Sequence, residues 1–147
     1  EAEDYIHDYL RNYKGVADYM ERVVEEAKKN GYVETLFGRR RYLPELASSN
    51  FNMRAFGERV ARNMPIQGTA ADIIKIAMVH VRNRLKAEKL DAKLILQVHD
   101  ELIVECPEAE SDTVKKILEE EMANAVQLSV PMLAEAGSGK SWYQAKG

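Results

Sequence analysis

At 147 residues, with 46% apolar and 31% charged side chains, the chain has the size and balance of one soluble globular domain able to bury a core. Its apolar runs fall short of the roughly 18 residues of a membrane-spanning helix. The acidic, helix-like start at Glu1-Ala2-Glu3-Asp4 is unlike a signal or transit peptide, and a lone Cys106 excludes an internal disulfide and suits a reducing, cytoplasmic compartment.

Residues 1–30 are predicted as two helices parted near Lys14-Gly15. Tyr5, Tyr9 and Tyr13, then Val16, Met20, Val23, Val24 and Ala27, recur at helical spacing. A start in mid-helix without Met suggests a piece of a longer chain. Asn30-Gly31 reads as a helix stop, because glycine takes the left-handed conformation at little steric cost. Residues 32–37 are β-prone, Gly38 marks a turn, and residues 39–43 return as a short strand before Pro44. Ser48-Ser49-Asn50 offers caps for a helix that should run to about Asn63 and close at Pro65.

After Gln67-Gly68-Thr69 comes the longest apolar stripe, Ile73, Ile74, Ala77, Met78, Val81 and Leu85, on a helix expected to end near Lys89. Lys93–Val98 and Leu102–Cys106 are predicted as strands of a tight hairpin with His99-Asp100-Glu101 at its tip. Pro107, Glu108 and Glu110 open a further helix through Val114, Ile117, Leu118, Met122 and Val126. Leu128–Ala136 reads as a last strand, and Gly137-Ser138-Gly139 turns into a tail carrying Trp142. The predicted class is α+β, mostly helical with a small antiparallel sheet.

Charge is distributed unevenly along these elements. Residues 1–37 hold 5 basic and 9 acidic side chains, residues 38–90 hold 11 and 4, and residues 91–147 hold 5 and 11. A basic centre between acidic flanks suits a polyanion against the middle and a cation near the end, although charge runs also occur as solvated helix faces.

The chemistry concentrates at three places. Asp100 and Glu101 stand at the tip of a stiff hairpin, where two carboxylates suit a hard cation such as Mg²⁺; an Asp-Glu pair is equally an ordinary polar turn. Arg39-Arg40-Arg41 follow the Gly38 turn and suit bidentate phosphate contacts, or else simply guard a strand edge. Arg59, Asn63 and Gln67 are spaced by four, as on one helix face, though Pro65 would put Gln67 at a bend. Their donors suit the minor-groove acceptors that every base pair presents, or a buried polar cluster.

Other features mislead. Gly137-Ser138-Gly139-Lys140-Ser141 lacks the earlier glycine of a phosphate-binding loop, having Ala134 there, and too few residues follow for the helix that such a loop needs. Cys106 sits before Pro107 at a strand end rather than in a nucleophile's setting. His7 and His80 lie on helical stretches without ligand-spaced acids or cysteines.

Gln97-Val98-His99-Asp100-Glu101-Leu102 resembles the third polymerase motif of family A DNA polymerases, the bacterial DNA polymerase I type. Residues 31–44, from Gly31-Tyr32-Val33-Glu34-Thr35-Leu36-Phe37-Gly38 through Arg39-Arg40-Arg41 to Pro44, resemble the segment after that family's nucleotide-binding fingers helix. Glu58-Arg59, Asn63, Pro65 and Gln67 to Lys75 resemble its next block, and Gly137-Ser138-Gly139 with Trp142 its C-terminus. Four blocks in order cover nearly the whole chain.

The resemblance implies template-directed DNA synthesis by two-metal nucleotidyl transfer, with two Mg²⁺ ions, on primer–template DNA with deoxynucleoside triphosphates. It makes Asp100 one of two metal-holding catalytic aspartates and Glu101 an accessory acid. It places His99 at the primer terminus, Gln67 and Arg59 on the primer–template with Asn63 beside them, and Arg39 and Arg40 as DNA contacts. Residues 1–90 would be C-terminal fingers helices, the basic hairpin and palm-entry helices; residues 91–147 would be the palm hairpin, helix and final strand. The partner aspartate and the fingers helix should lie upstream in the remainder of the polymerase chain, so this piece alone should not polymerise. The competing class is a non-catalytic nucleic-acid-binding module, separable by whether metal dependence is tied to Asp100. A single-subunit RNA polymerase fits Gln97-Val98-His99-Asp100-Glu101 less well.

Overall fold

The computed structural model describes residues 2–146. Two helices open it, α1 (Ala2–Asn12) and α2 (Lys14–Asn30), parted at Tyr13 within a residue or two of the predicted break. Gly31 ends α2 in the left-handed conformation at φ 80°, and its N–H donates to the Ala27 carbonyl. Strands β1 (Tyr32–Glu34) and β2 (Arg40–Tyr42) pair antiparallel, with Val33 opposite Arg41. After a 3-10 turn at Pro44–Ala47, the Asn50 carboxamide oxygen accepts from the N–H groups of Asn52 and Met53, a side-chain cap that starts α3 (Phe51–Ala87).

Helix α3 overturns the expectation that a helix closes at Pro65. It runs for 37 residues with Pro65 inside it. Proline removes one intrahelical hydrogen bond and costs about 3 kcal/mol in a helix interior. Just after it, Gly68 and Thr69 are hydrogen-bonded to the turn between β1 and β2. Consequently Gln67 lies within a helix rather than at a bend.

Beyond α3, strands β3 (Lys93–Val98) and β4 (Glu101–Glu105) form an antiparallel hairpin. Its loop is His99-Asp100 alone, because Glu101 already pairs with Val98. The register shifts between Leu94 and Leu96, leaving Ile95 as the extra residue of a bulge. The bulge interrupts the expected inward alternation, so that Ile95 and Leu96 are both exposed. Helix α4 (Ser111–Ala123) follows a 3-10 turn, and α5 (Trp142–Ala145) is capped by the Ser141 side chain.

The final strand expected over 128–136 is not formed. A strand needs a partner ladder, and among the described residues this segment has none; its backbone is held at Ala136, whose N–H donates to a Glu119 carboxylate oxygen at 3.0 Å. The fold is therefore mostly helical with two small two-stranded antiparallel sheets. Among the described residues no helix is long and apolar enough to cross a membrane.

Two compact units result, one ending at Thr69 and one beginning at Ala70. The first is built on Val24, Ala27, Val33, Leu43, Leu46 and Ala61. The second packs Val81 and Leu85 of α3 against Ala92 and against Val114 and Ile117 of α4, with Leu102, Val104 and Cys106 alongside. Burial, with Glu110 nearby, pushes the Cys106 thiol above its ordinary value, which suits a packing role.

In the second unit α3 and α4 are also tied by charge. The Arg84 guanidinium donates to Glu120 and Glu121 at 2.8 Å each and to Glu88 at 2.7 Å, and these acids hold its pKa above the usual arginine value. Replacing Arg84 by Met removes the cation shared by Glu88, Glu120 and Glu121, leaving Lys116 at 3.8 Å from Glu120 and His80 at 4.0 Å from Glu121 as their remaining neighbours of that kind among the described residues. The thermal midpoint should fall, and fall less in 1 M salt than in dilute buffer because screening relieves the repulsion; an equal loss at both salt levels would contradict this.

Candidate functional site

The candidate residues fall into two groups, one in each unit. Arg39, Arg40, Arg59, Asn63 and Gln67 belong to the first unit, and His99, Asp100 and Glu101 to the second.

In the first unit, the continuity of α3 decides how Arg59, Asn63 and Gln67 are presented. Residues four apart in a helix are offset by about 40° around its axis, so the three span an arc of about 80°. All three are exposed, which sets aside the buried polar cluster as an account of their spacing. Arg59 rests near the Phe56 ring, 6.0 Å from its centroid. The row is thus a ridge of hydrogen-bond donors about 12 Å long on one helix face.

Behind that ridge, the turn between β1 and β2 docks on α3. The buried Thr69 hydroxyl accepts from the Leu36 N–H at 3.0 Å and donates to the Pro65 carbonyl. The Arg39 guanidinium donates to the Gly68 carbonyl at 3.0 Å. A Cβ on Gly68 would stand 2.8 Å from Thr35 Cγ2, so only glycine permits this approach. The turn is itself knit by the Thr35 hydroxyl, which accepts from the N–H groups of Phe37 and Arg39 at 3.2 Å each.

Arg39 therefore has a structural contact that its place in an arginine run did not reveal. The same is true of Arg40, whose Nε donates to Glu34 at 2.8 Å across the sheet and whose guanidinium lies 4.4 Å from the Tyr32 ring centroid. Both side chains remain exposed. Sequence reading missed Thr35 and Thr69; two threonines in β-prone and helical runs carry no signal until the turn and helix are seen to meet.

In the second unit, the hairpin tip gives its three residues different surroundings. His99 has φ 53°, a left-handed conformation costing an L-residue about 1–2 kcal/mol. The Gln97 side-chain amide donates to the His99 carbonyl at 2.7 Å and holds this turn. Asp100 is exposed at the tip and makes no ion pair among the described residues. Glu101, one residue on, is half-buried in the ladder and pairs with Lys146 Nζ at 3.1 Å. Adjacent in sequence, the two carboxylates differ in availability.

An exposed carboxylate on a braced turn is the donor type that Mg²⁺ favours, but a hard divalent ion needs several oxygens. Among the described residues no group of three His, Cys, Asp or Glu side chains is gathered for a metal.

Comparison with known proteins adds an independent line. The family model described as "DNA polymerase family A" matches residues 1–144. DNA polymerase I of Bacillus subtilis (strain 168) is 53% identical over 146 residues, covering 99% of this chain, and that of Bacillus caldotenax is 52% identical over the same length. The chain spans 17% of the length of each. Among solved structures, the POL domain of Pol1 from M. smegmatis, in complex with DNA primer-template and dNTP, matches with TM-score 0.96 and 46% identity, over 100% of this chain and 26% of that one.

The docking of the turn on α3 makes Gly68→Ala a test with opposed expectations. Helix propensity alone favours alanine by about 1 kcal/mol. The clash with Thr35 should dominate and destabilise the protein by roughly 1–3 kcal/mol, read as a lower denaturation midpoint; an unchanged or raised midpoint would show that the contact is not tight.

Proposed function

The chain belongs to DNA polymerase family A, as a part of the polymerase domain, and from that premise we propose that it supplies one catalytic carboxylate and the minor-groove contacts of a bacterial template-directed DNA polymerase. The observation that carries this reading is the contrast at the hairpin tip: Asp100 is exposed without an ion pair among the described residues, whereas Glu101 is tied to Lys146. In the parent enzyme a primer 3′-hydroxyl attacks the α-phosphate of a deoxynucleoside triphosphate. The new phosphodiester bond forms as the bond to pyrophosphate breaks, and the hydroxyl proton leaves to solvent or a base.

A pair of Mg²⁺ ions, when bound, would activate the attacking oxygen and stabilise the leaving one. Asp100 is the residue of this chain that would hold them. Glu101, beside Asp100 and paired with Lys146, would act as an accessory acid. His99, at the same tip, would contact the primer terminus. Gln67 and Arg59, with Asn63 between them, offer donors to purine N3 and pyrimidine O2, which every Watson–Crick pair presents in the minor groove. Such contacts sense the shape of a pair without reading its sequence. Arg39 and Arg40 keep exposed guanidinium groups that suit phosphates even as they brace the turn and the strand.

On this reading residues 1–90 form the fingers-side helices, basic hairpin and entry to the palm, and residues 91–147 the palm hairpin, α4 and the C-terminal segment. The parent acts in the bacterial cytoplasm, on primer–template DNA. Because the chain spans 17% of its relatives, the remaining metal ligands and the nucleotide-binding fingers helix come from the rest of that polymerase. Activity therefore belongs to the larger enzyme.

Asp100→Ala in the parent polymerase should lower primer extension by at least about 10³-fold, since several kcal/mol of transition-state stabilisation are lost. Duplex affinity, measured by fluorescence anisotropy, should change little; near-normal extension would remove Asp100 from the metal site. The 147-residue chain alone should give no extension with Mg²⁺ or Mn²⁺, so any incorporation by it would contradict the division of the site.

A further inference from the structure

We propose that the β1–β2 turn clamps α3 so as to aim Gln67, with Thr69 and Arg39 acting as positioning residues. The inference rests on the minor-groove reading of Gln67. Gln67 stands between two poor helix formers. Two residues before it, Pro65 cannot donate to the Ala61 carbonyl; one residue after it, Gly68 is among the poorest helix formers. A stretch of this kind, left unsupported, kinks.

Three contacts oppose the kink, all from the same turn. Leu36 N–H donates to the Thr69 hydroxyl at 3.0 Å, the Arg39 guanidinium donates to the Gly68 carbonyl at 3.0 Å, and Thr35 Cγ2 fills the space that a Gly68 side chain would need. The Thr69 hydroxyl also reaches the Pro65 carbonyl, so one buried group joins the turn to the helix on either side of Gln67. Thr69 lies two residues beyond Gln67, about 200° around the axis. The clamp thus grips the back of the helix and leaves Gln67 exposed on the front. A minor-groove hydrogen bond is directional, and a small tilt of the helix would lose it.

The test is single-nucleotide extension by the parent polymerase on primers carrying a normal purine or its 3-deaza analogue, which lacks the N3 acceptor, at the terminal and adjacent positions in turn. The readout is the ratio of kcat/KM on the two primers, which a general loss of stability leaves unmoved. Wild type should prefer the normal primer roughly tenfold at the position that Gln67 reads, and Gln67→Ala should abolish the preference. Thr69→Ser keeps the hydroxyl and should keep the preference. Thr69→Val should reduce it to under about threefold, and adding Thr69→Val to Gln67→Ala should cost nothing more in the ratio. If Thr69→Val does not fold, Arg39→Met, which removes the Gly68 contact from an exposed side chain, is read in the same way. A full preference in Thr69→Val or Arg39→Met overturns the clamp alone. No preference in wild type, or one that survives Gln67→Ala, overturns the reading of Gln67 and the clamp with it.

Discussion

The arrangement of the first unit depends on one contact between buried hydroxyl and backbone, Thr69 Oγ1 accepting from the Leu36 N–H while donating to the Pro65 carbonyl. A proline in a helix interior forfeits a hydrogen bond and pushes on the preceding turn. Here a second poor helix former, Gly68, follows three residues later. Docking of the β1–β2 turn holds the helix just after that point. It can do so because Gly68 presents no side chain to Thr35, so the turn comes close enough for its backbone to reach Thr69. The two weak helix formers thus have different roles: proline makes support necessary, and glycine makes support possible.

The second unit is governed by a tight turn of similar logic. With a loop of only His99 and Asp100, one residue must adopt positive φ, and His99 does so with its carbonyl held by Gln97. The short loop gives the two acids different surroundings. Asp100 is left at the tip, while Glu101 enters the ladder opposite Val98 and meets Lys146 from the tail. The tail following α5 is accordingly part of the hairpin's electrostatic setting. On the proposed reading, Asp100 is the carboxylate that would meet a metal, and the two-residue loop holds it exposed with no ion pair among the described residues.

Much of this was legible in the residues. The break near Tyr13, the Gly31 stop, the Asn50 cap and the hairpin all follow from local chemistry that tertiary contacts do not override. The four family blocks carried the family assignment, since Asp100-Glu101 alone is an ordinary turn pair. Expectations failed where a distant contact decides the outcome. Pro65 reads as a stop unless the turn at Thr35 is known to dock on Thr69, thirty-odd residues away. Residues 128–136 have strand-like composition, but a ladder requires a partner that the described residues do not provide. The bulge at Ile95 likewise escapes a period-two pattern, because one inserted residue leaves the composition of the strand unchanged.

The central claim is that Asp100 is a metal ligand of the parent polymerase, and metal binding tests it more directly than turnover does. Mn²⁺ binding to the parent enzyme can be followed by electron paramagnetic resonance in a complex with a 3′-deoxy-terminated primer–template and the next deoxynucleoside triphosphate, which cannot react. Wild type is predicted to hold a pair of Mn²⁺ ions, and Asp100→Asn, nearly isosteric but uncharged, to lose at least one or to bind it roughly tenfold more weakly. Equal stoichiometry and affinity in the two proteins would contradict the account.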